Sequence, residues 1–412
     1  MRILMVAQFY PPTVGGEERM VHDLSVELSR RGHRVAVATL WHEGLPEYEE
    51  MAGVHVYRIR SSLGRLTRLY TDPSRHHAPP AVDPGAATAL RRIAALERPD
   101  IVHGHNWLVY SYLPLKRANG PALVVSLHDY SLICSNKRLF RRGEPCTGPG
   151  PVKCLDCSVA YYGAAKGPAI TIANWMLAAG ERALVDLFLP VSVAVADAAR
   201  LVDHGDDHLV IPNFLRNGNA AVEAPADFPD LPDDFILFAG DVTPDKGVPV
   251  LLRAHRSLEG APPLVLIGRA REPAVLGGAG RGVHSVGPLP HELVLRAWRR
   301  CAIAVVPSIV PEAFGLVALE AMAAGRPVVA SRTGGLSDVV VDGETGLLVA
   351  PGSTGELRAA LARLLADSDL RRAMGDAGRA RAKAFSAARV VPRIERAYEA
   401  VLAKRRRRAS QT

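Results

Sequence analysis

Glu312 and Glu320 stand in the segment PSIVPEAFGLVALEAMAAGRPVVAS, residues 307–331, separated by a Phe-Gly-Leu turn that opens a helix rich in Ala, Leu and Met. A strand stop at Pro307–Ser308 precedes them, and a Gly325-Arg-Pro-Val-Val return follows. The first amides of a helix have no partner within it, so they point outward with the positive end of the macrodipole behind them. That is a seat for an anion such as a diphosphate. Carboxylates have the reverse preference, because they accept hydrogen bonds from hydroxyls. A phosphate seat flanked by two glutamates suits a ligand with phosphates in the middle and hydroxyl-rich rings at both ends, the shape of a nucleotide sugar.

The Glu-x7-Glu pattern inside this segment resembles the donor site of glycosyltransferase family 4, the retaining enzymes of GT-B fold. The resemblance implies that Glu312 sits near the transferred sugar, that the amides of Phe314, Gly315 and Leu316 hold the sugar and diphosphate, and that Glu320 binds the nucleotide ribose. It implies an α/β architecture of two doubly wound Rossmann-like domains facing across a cleft, the first for the acceptor and the second for the nucleotide sugar.

Other positions add to this set. In FILFAGDVTPDKGVPVLLRA, Gly240 ends a strand and Lys246 stands at the mouth of the next helix, where an ammonium can neutralise a departing diphosphate or simply face solvent. Many relatives carry Arg directly after that strand glycine, where this chain has Asp241; a carboxylate cannot neutralise phosphate, and Arg269 is a substitute. Gly15 and Gly16 follow the first strand and open a helix at GGEE. They form a tight turn or a loop close to phosphate or sugar, and the resemblance assigns Gly16 to the donor. His128 follows the strand ALVVSL; it is either a buried core histidine or, as the resemblance implies, a contact of the donor sugar near the reaction centre. His105 ends the preceding strand and could line the same cleft.

Four of the five cysteines, Cys134, Cys146, Cys154 and Cys157, lie within residues 134–157. Cys154-x2-Cys157 is half of a structural zinc motif, but the other spacings are irregular, so a structural metal, disulfides and reduced thiols all stay open. DHGDDH, residues 203–208, carries ligand-type residues but reads as a solvated loop before the strand HLVIP.

The chain's 412 residues, 48% hydrophobic and 22% charged, suit two domains with substantial cores. Short β-branched runs alternate with helical patterns. Ile3–Ala7, Val35–Thr39, Val54–Ile59, Ile101–Val102 and Leu123–Leu127 read as buried parallel strands, and Glu17–Arg31 as a helix stopped by Gly32. A second set of strands runs through Phe235–Ala239, Leu264–Ile267, Ile303–Val306, Val328–Ala330 and Leu347–Val349. The expected division is an acceptor domain over 1–221 with the cysteine-rich insertion, a Pro- and acid-rich linker over 222–234, a nucleotide-sugar domain over 235–386, and a helix with a basic tail over 387–412. The resemblance implies that this helix returns to the first domain.

No apolar run approaches the length of a membrane span, and MRILMVAQF reads as a strand rather than a signal peptide, which suggests the cytoplasm. Net charge is +8, and Lys404–Arg408 are five consecutive cations. They form a solvated tail or, with Arg58, Arg60, Arg65 and Arg68, hold the chain on anionic lipid. No aromatic–basic pattern or reader motif favours nucleic acid. The expected activity is metal-independent retaining transfer of a hexosyl group from a nucleoside diphosphate sugar to a glycan, lipid-linked or small-molecule acceptor, with no cofactor needed for catalysis. The rivals are a nucleotide-sugar epimerase of related fold and a non-catalytic binding or assembly protein.

Overall fold

The computed structural model describes residues 1–13, 15–63, 78–216, 230–271, 273–278, 280 and 282–410. Arg65, Arg68 and residues 222–229 of the expected linker lie outside this set. The chain divides into two compact units. One takes Met1–Leu139, Thr147–Pro212 and the chain from Val390 onward; the other takes Phe140–Cys146 and Asn213–Arg389.

The first unit begins β1 (Arg2–Ala7), α1 (Gly16–Arg30), β2 (Arg34–Leu40), β3 (Tyr48–Met51), β4 (Val54–Ile59), α2 (Pro84–Glu97), β5 (Ile101–His105) and β6 (Ala122–Leu127). The short strands β7 (Phe140–Arg141) and β8 (Glu144–Pro145) pair as a hairpin that groups with the second unit. Helices α3 (Pro151–Tyr162) and α4 (Gly167–Leu184), then β9 (Leu187–Pro190) and α5 (Val193–Ala198), continue the first unit. Its sheet runs β3-β4-β2-β1-β5-β6-β9, parallel except where β3 pairs antiparallel with β4. The runs ILMVA in β1 and ALVVSL in β6 are buried throughout, as strands covered on both faces must be.

The second unit continues with β10 (Ile236–Ala239), α6 (Val248–Arg256), β11 (Leu264–Ile267), β12 (Val283–Gly287), α7 (His291–Arg300), β13 (Ile303–Val306), α8 (Leu316–Ala323), β14 (Val328–Ser331), α9 (Leu336–Val339), β15 (Gly346–Val349), α10 (Thr354–Ala366) and α11 (Ser368–Ala382). Its all-parallel sheet runs β12-β11-β10-β13-β14-β15. Ile236, Val305 and Val329 of the strands pack with Val248 and Leu251 of α6 and with Leu361 of α10 in one buried cluster.

Both sheets reverse strand order beside their first strand: β1 lies between β2 and β5, and β10 between β11 and β13. Such switch points open a crevice at the carboxyl ends of the strands, where this class of sheet binds ligands. The last helix, α12 (Ala387–Ala409), belongs to the first unit from Val390 onward. Glu395 takes Arg31 at 2.8 Å and His33 at 2.9 Å, and Tyr398 bonds His103 at 2.7 Å.

Candidate functional site

In the second unit the chain leaves β13 at Val306 and turns through Ser308 and Glu312 before entering α8. The Ile309 and Val310 amides donate to the Asp245 carbonyl at 2.8 and 3.1 Å, which ties this loop to the residue before Lys246. Lys246 Nζ donates to Glu312 Oε1 at 2.7 Å, and Ser308 Oγ donates to the same oxygen at 2.5 Å. Burial alone would lower the Lys246 pKa, but the Glu312, Asp245 and Asp241 carboxylates outweigh it and hold the ammonium above its ordinary value. Lys246 is therefore a fixed positive charge.

Two close approaches and a helix cap shape this seat. A Cβ on Gly247, whose φ is +76°, would stand 1.9 Å from the Pro307 carbonyl, so only glycine lets α6 begin there. One on Gly334 would stand 2.1 Å from the Glu312 carbonyl, and the Gly335 amide donates to that carbonyl at 2.7 Å. The Gly334–Gly335 turn before α9 is thus the floor under the Glu312 loop, a role sequence reading missed. Gly315, in the left-handed region at φ +102°, caps α8; the Leu319 amide makes the first helical bond to its carbonyl. The amides of Leu316, Val317 and Ala318 precede that bond, so the helix start offers donors suited to an anion. Phe314 is buried, with its ring 5.9 Å from that of Phe385.

Glu320 lies one turn into α8 with its side chain only 4% exposed, and its Oε1 meets His291 Nε2 at 2.8 Å. Its partner at the start of α7 carried no signal in the sequence. Gly240 ends β10 at φ +150°, and a Cβ on Gly268 would stand 1.8 Å from its carbonyl, so the ends of β10 and β11 meet through glycine. Asp241 accepts from Arg271 at 2.9 Å, with both side chains nearly half exposed, and Arg269 is exposed as well.

In the first unit the carboxyl ends of β5 and β6 carry a histidine row. His103 bonds Tyr398 at 2.7 Å and Ser126 at 2.8 Å, and His105 Nδ1 meets His128 Nε2 at 2.9 Å. The His105 and His128 rings stack with centroids 5.2 Å apart. Burial, then the neighbouring His128, pushes His103 down to about 3, and burial drives His105 well below the usual histidine range. Both are neutral hydrogen-bonding groups near pH 7. A small pocket at this end is lined by Glu17, Asn106, Trp107, His128, Asp129 and Glu181, among others. Burial, reinforced by Asp129 and Glu18, pushes Glu17 up to about 8. Burial outweighs Tyr110 and Arg182 to do the same at Glu181. Two carboxyls near pH 7 are thus protonated and able to donate. Sequence reasoning missed this pair because its members are far apart in the chain and α4 carries no motif.

Gly16 is the first residue of α1, behind Gly15. The Glu18 carboxylate lies over Gly15: a Cβ there would stand 2.0 Å from Glu18 Oε2. A carboxylate in that position repels a phosphate placed against Gly15.

The four clustered cysteines, open between metal ligands, disulfide partners and thiols, are not gathered into one metal-binding set. Among the described residues no group of three or more His, Cys, Asp or Glu side chains could hold a metal ion, and none of the five cysteines is in a disulfide. Cys134 Sγ donates to Asn136 at 2.9 Å, the Asn136 amide donates to Cys157 at 3.4 Å, and Cys154 accepts from the Gly150 amide at 3.3 Å. Cys146 groups with the second unit. Burial pushes the Cys134 thiol up to about 11.

The DHGDDH loop is exposed at Asp203, His204, Gly205 and Asp207, as expected of a solvated loop, while the Asp206 side chain packs against Arg182 and Asp207 pairs with Lys404. Several cations expected at a lipid surface are engaged as well. Arg58 is buried against Glu49, Arg60 pairs with Glu47 at 2.6 Å, and Arg405 pairs with Asp186 at 2.8 Å.

A family profile described as Glycosyl transferases group 1 matches residues 225–381, and one described as Glycosyltransferase Family 4 matches residues 14–215. The chain is 30% identical over 396 residues to the glycogen synthase of Mycobacterium tuberculosis, covering 89% of this chain and 86% of that one. It is 29% identical over 442 residues to the D-inositol 3-phosphate glycosyltransferase of Acidothermus cellulolyticus, covering 100% and 92%. Among solved structures, the sucrose-phosphate synthase of Thermosynechococcus elongatus matches at a TM-score of 0.74 and 21% identity, over 98% of this chain and 100% of that one, a likeness of fold. With two doubly wound domains, matched end to end by such proteins, the chain belongs to glycosyltransferase family 4 and has the GT-B fold.

Proposed function

We propose that the chain transfers a hexosyl group, with retention of configuration, from a nucleoside diphosphate sugar to a hydroxyl of a glycan, lipid-linked or small-molecule acceptor. The observation that carries this reading is the Lys246–Glu312–Ser308 cluster beside the start of α8, which puts a fixed cation, a carboxylate and helix amides on one seat. The diphosphate lies against the amides that begin α8, with Lys246 neutralising the charge that grows as the sugar–oxygen bond breaks. The acceptor oxygen forms its bond to the anomeric carbon on the face the diphosphate leaves, and its proton passes to the departing phosphate oxygen. Glu312 orients the sugar hydroxyls where positive charge develops, and Glu320, aligned by His291, accepts from the ribose.

In this reading the first unit supplies His128, held by His105, as a hydrogen-bond partner for a substrate hydroxyl. Its neutral carboxyls, Glu17 and Glu181, suit a hydroxyl-rich acceptor. Positive charge at the diphosphate comes from Lys246 and the helix, so the reaction needs no added metal. Incubation with a panel of nucleotide sugars, with and without candidate acceptors, tests the proposal. Nucleoside diphosphate release coupled to a product of retained anomeric configuration is expected. Binding without release, across donors and acceptors, would leave the non-catalytic binding protein as the reading.

A further inference from the structure

A helix of one turn holds itself poorly, because fixing its backbone costs more than its few hydrogen bonds recover. Helix α9, Leu336–Val339, is such a turn. At its end the carbonyls of Asp338 and Val339 have no following turn to supply amides. Arg381, half-buried in the last turn of α11, supplies both bonds. Its Nη2 donates to the Asp338 carbonyl at 2.6 Å and its Nε to the Val339 carbonyl at 2.7 Å. At the start of α9 the chain presses on the candidate donor loop. A Cβ on Gly335 would stand 2.5 Å from the Ala313 carbonyl and 2.7 Å from Phe314 Cα, and one on Gly315 would stand 2.6 Å from Leu336 Cδ2. With the Gly335 amide on the Glu312 carbonyl, this end of α9 backs the loop from Glu312 to Gly315. The same guanidinium reaches the loop by a second route. It stands 5.7 Å from the centre of the Phe385 ring, which meets the Phe314 ring edge-on at 5.9 Å. All of these residues belong to the second unit.

We propose that Arg381 is a positioning residue for the donor site, bracing the Glu312–Gly315 loop through α9 on one side and through Phe385 on the other. It touches no group assigned to the reaction and acts only through these neighbours. Its role in transfer rests on the donor-site reading of Glu312, whereas the mechanical link does not. Leu336 and Val339 are fully buried, so α9 stays packed when the guanidinium is removed. What changes is how firmly the turn backs the loop, and with it where the Glu312 carboxylate stands. A guanidinium suits this task because its planar fork meets two carbonyls while its face lies toward a ring. An ammonium is a point charge and cannot do both. Glu320 has its own partner in His291, so the ribose contact survives loss of Arg381. The signature of the brace is therefore a fall in kcat at nearly constant donor KM.

Two measurements on the full chain test it. The first needs no substrate: amide hydrogen exchange should quicken at least about tenfold in peptides spanning 312–319 and 334–340 of Arg381→Ala, with β10 and β11 unchanged. The second is steady-state turnover with the donor that the parent accepts. Arg381→Ala should lower kcat at least about tenfold, since small misplacements at a reacting centre are costly, and leave donor KM within about twofold. Arg381→Lys should recover part of the rate, and millimolar methylguanidinium should restore Arg381→Ala in both measurements while leaving the parent unaffected. Phe385→Leu, which removes only the second route, should fall between parent and Arg381→Ala. Unchanged exchange over 312–319 overturns the brace whatever the chain transfers, and so does faster exchange throughout the second unit without rescue. A kcat within about threefold of the parent, or a fall matched by an equal rise in KM, overturns the role in transfer. A parent that turns over no donor ends the donor-site reading and that role with it, while the exchange result still decides the brace.

Discussion

Replacing Lys246 by alanine separates a catalytic charge from a structural one. In the resting protein Lys246 contacts Glu312 at 2.7 Å, with the two side chains 32% and 20% exposed. An ion pair open to solvent to that degree contributes about 0–1 kcal/mol to folding, so Lys246→Ala should move the melting temperature by only a few degrees. The turnover argument is different, because the diphosphate gains charge as the glycosidic bond breaks, and the proposed function places Lys246 against that charge. Loss of a hydrogen bond to a charged group costs about 1.5–3 kcal/mol, or about 10- to 150-fold in kcat. Lys246→Arg retains the charge and should recover part of the rate. The assay is steady-state release of nucleoside diphosphate, with thermal unfolding run on the same samples. A kcat within about threefold of the parent, under 1 kcal/mol by the same conversion, would refute the leaving-group role. A large fall in melting temperature with kcat intact would make the pair a structural clamp.

Glu320→Gln should mainly raise the donor KM, since a ribose contact is made equally in ground and transition states, while Glu312→Gln should mainly lower kcat; full donor titrations distinguish the two. Chelator should leave turnover unchanged, measured before and after dialysis, because Lys246 and the α8 amides supply the positive charge. Gly247→Ala should lower stability by more than about 1–2 kcal/mol in thermal unfolding, since the left-handed backbone and the 1.9 Å approach to Pro307 both oppose a methyl group. Glu17 and Glu181 are raised to about 8 in the folded chain from an ordinary value of 4.5. Between those values the unfolded chain releases protons that the folded chain keeps, so stability should fall as pH rises from about 5 to 8. Glu17→Gln with Glu181→Gln should flatten that slope in denaturant titrations.

The central strands were legible because both faces of each parallel sheet are covered. ILMVA, ALVVSL and IAVV have no polar alternation to confuse with a surface strand, and glycine turns mark their ends. The edges were not legible. YEEM in β3 and VHSVG in β12 are polar, half-exposed segments whose strand character comes from the neighbour they pair with. The helix α1 was readable from Val21, Leu24 and Leu28 on one face, with Gly32 at its stop. The cysteine spacing left three outcomes open for a different reason: Cys154-x2-Cys157 is a local pattern, and a metal site is a tertiary fact. The first helical turn of α3 sends Cys154 to the Gly150 amide, while Asn136 takes up Cys134 and Cys157.

At the site, residue types were legible and their pairings were not. Glu312 and Lys246 are 66 positions apart, Glu320 and His291 are 29 apart, and the Gly334–Gly335 floor looks like any αL turn until the Glu312 carbonyl is found against it. Local rules fail where a chain places groups for a purpose other than folding. Glu17 and Glu181 buried as neutral acids, Lys246 held charged beside Glu312, and α4 turned with its apolar residues outward each break such a rule. The first two lie beside the groups assigned to transfer. The third shares an element with the first, since Glu181 belongs to the buried polar face of α4, so part of that helix's inward polarity is the wall of the pocket beside His128 and Asp129.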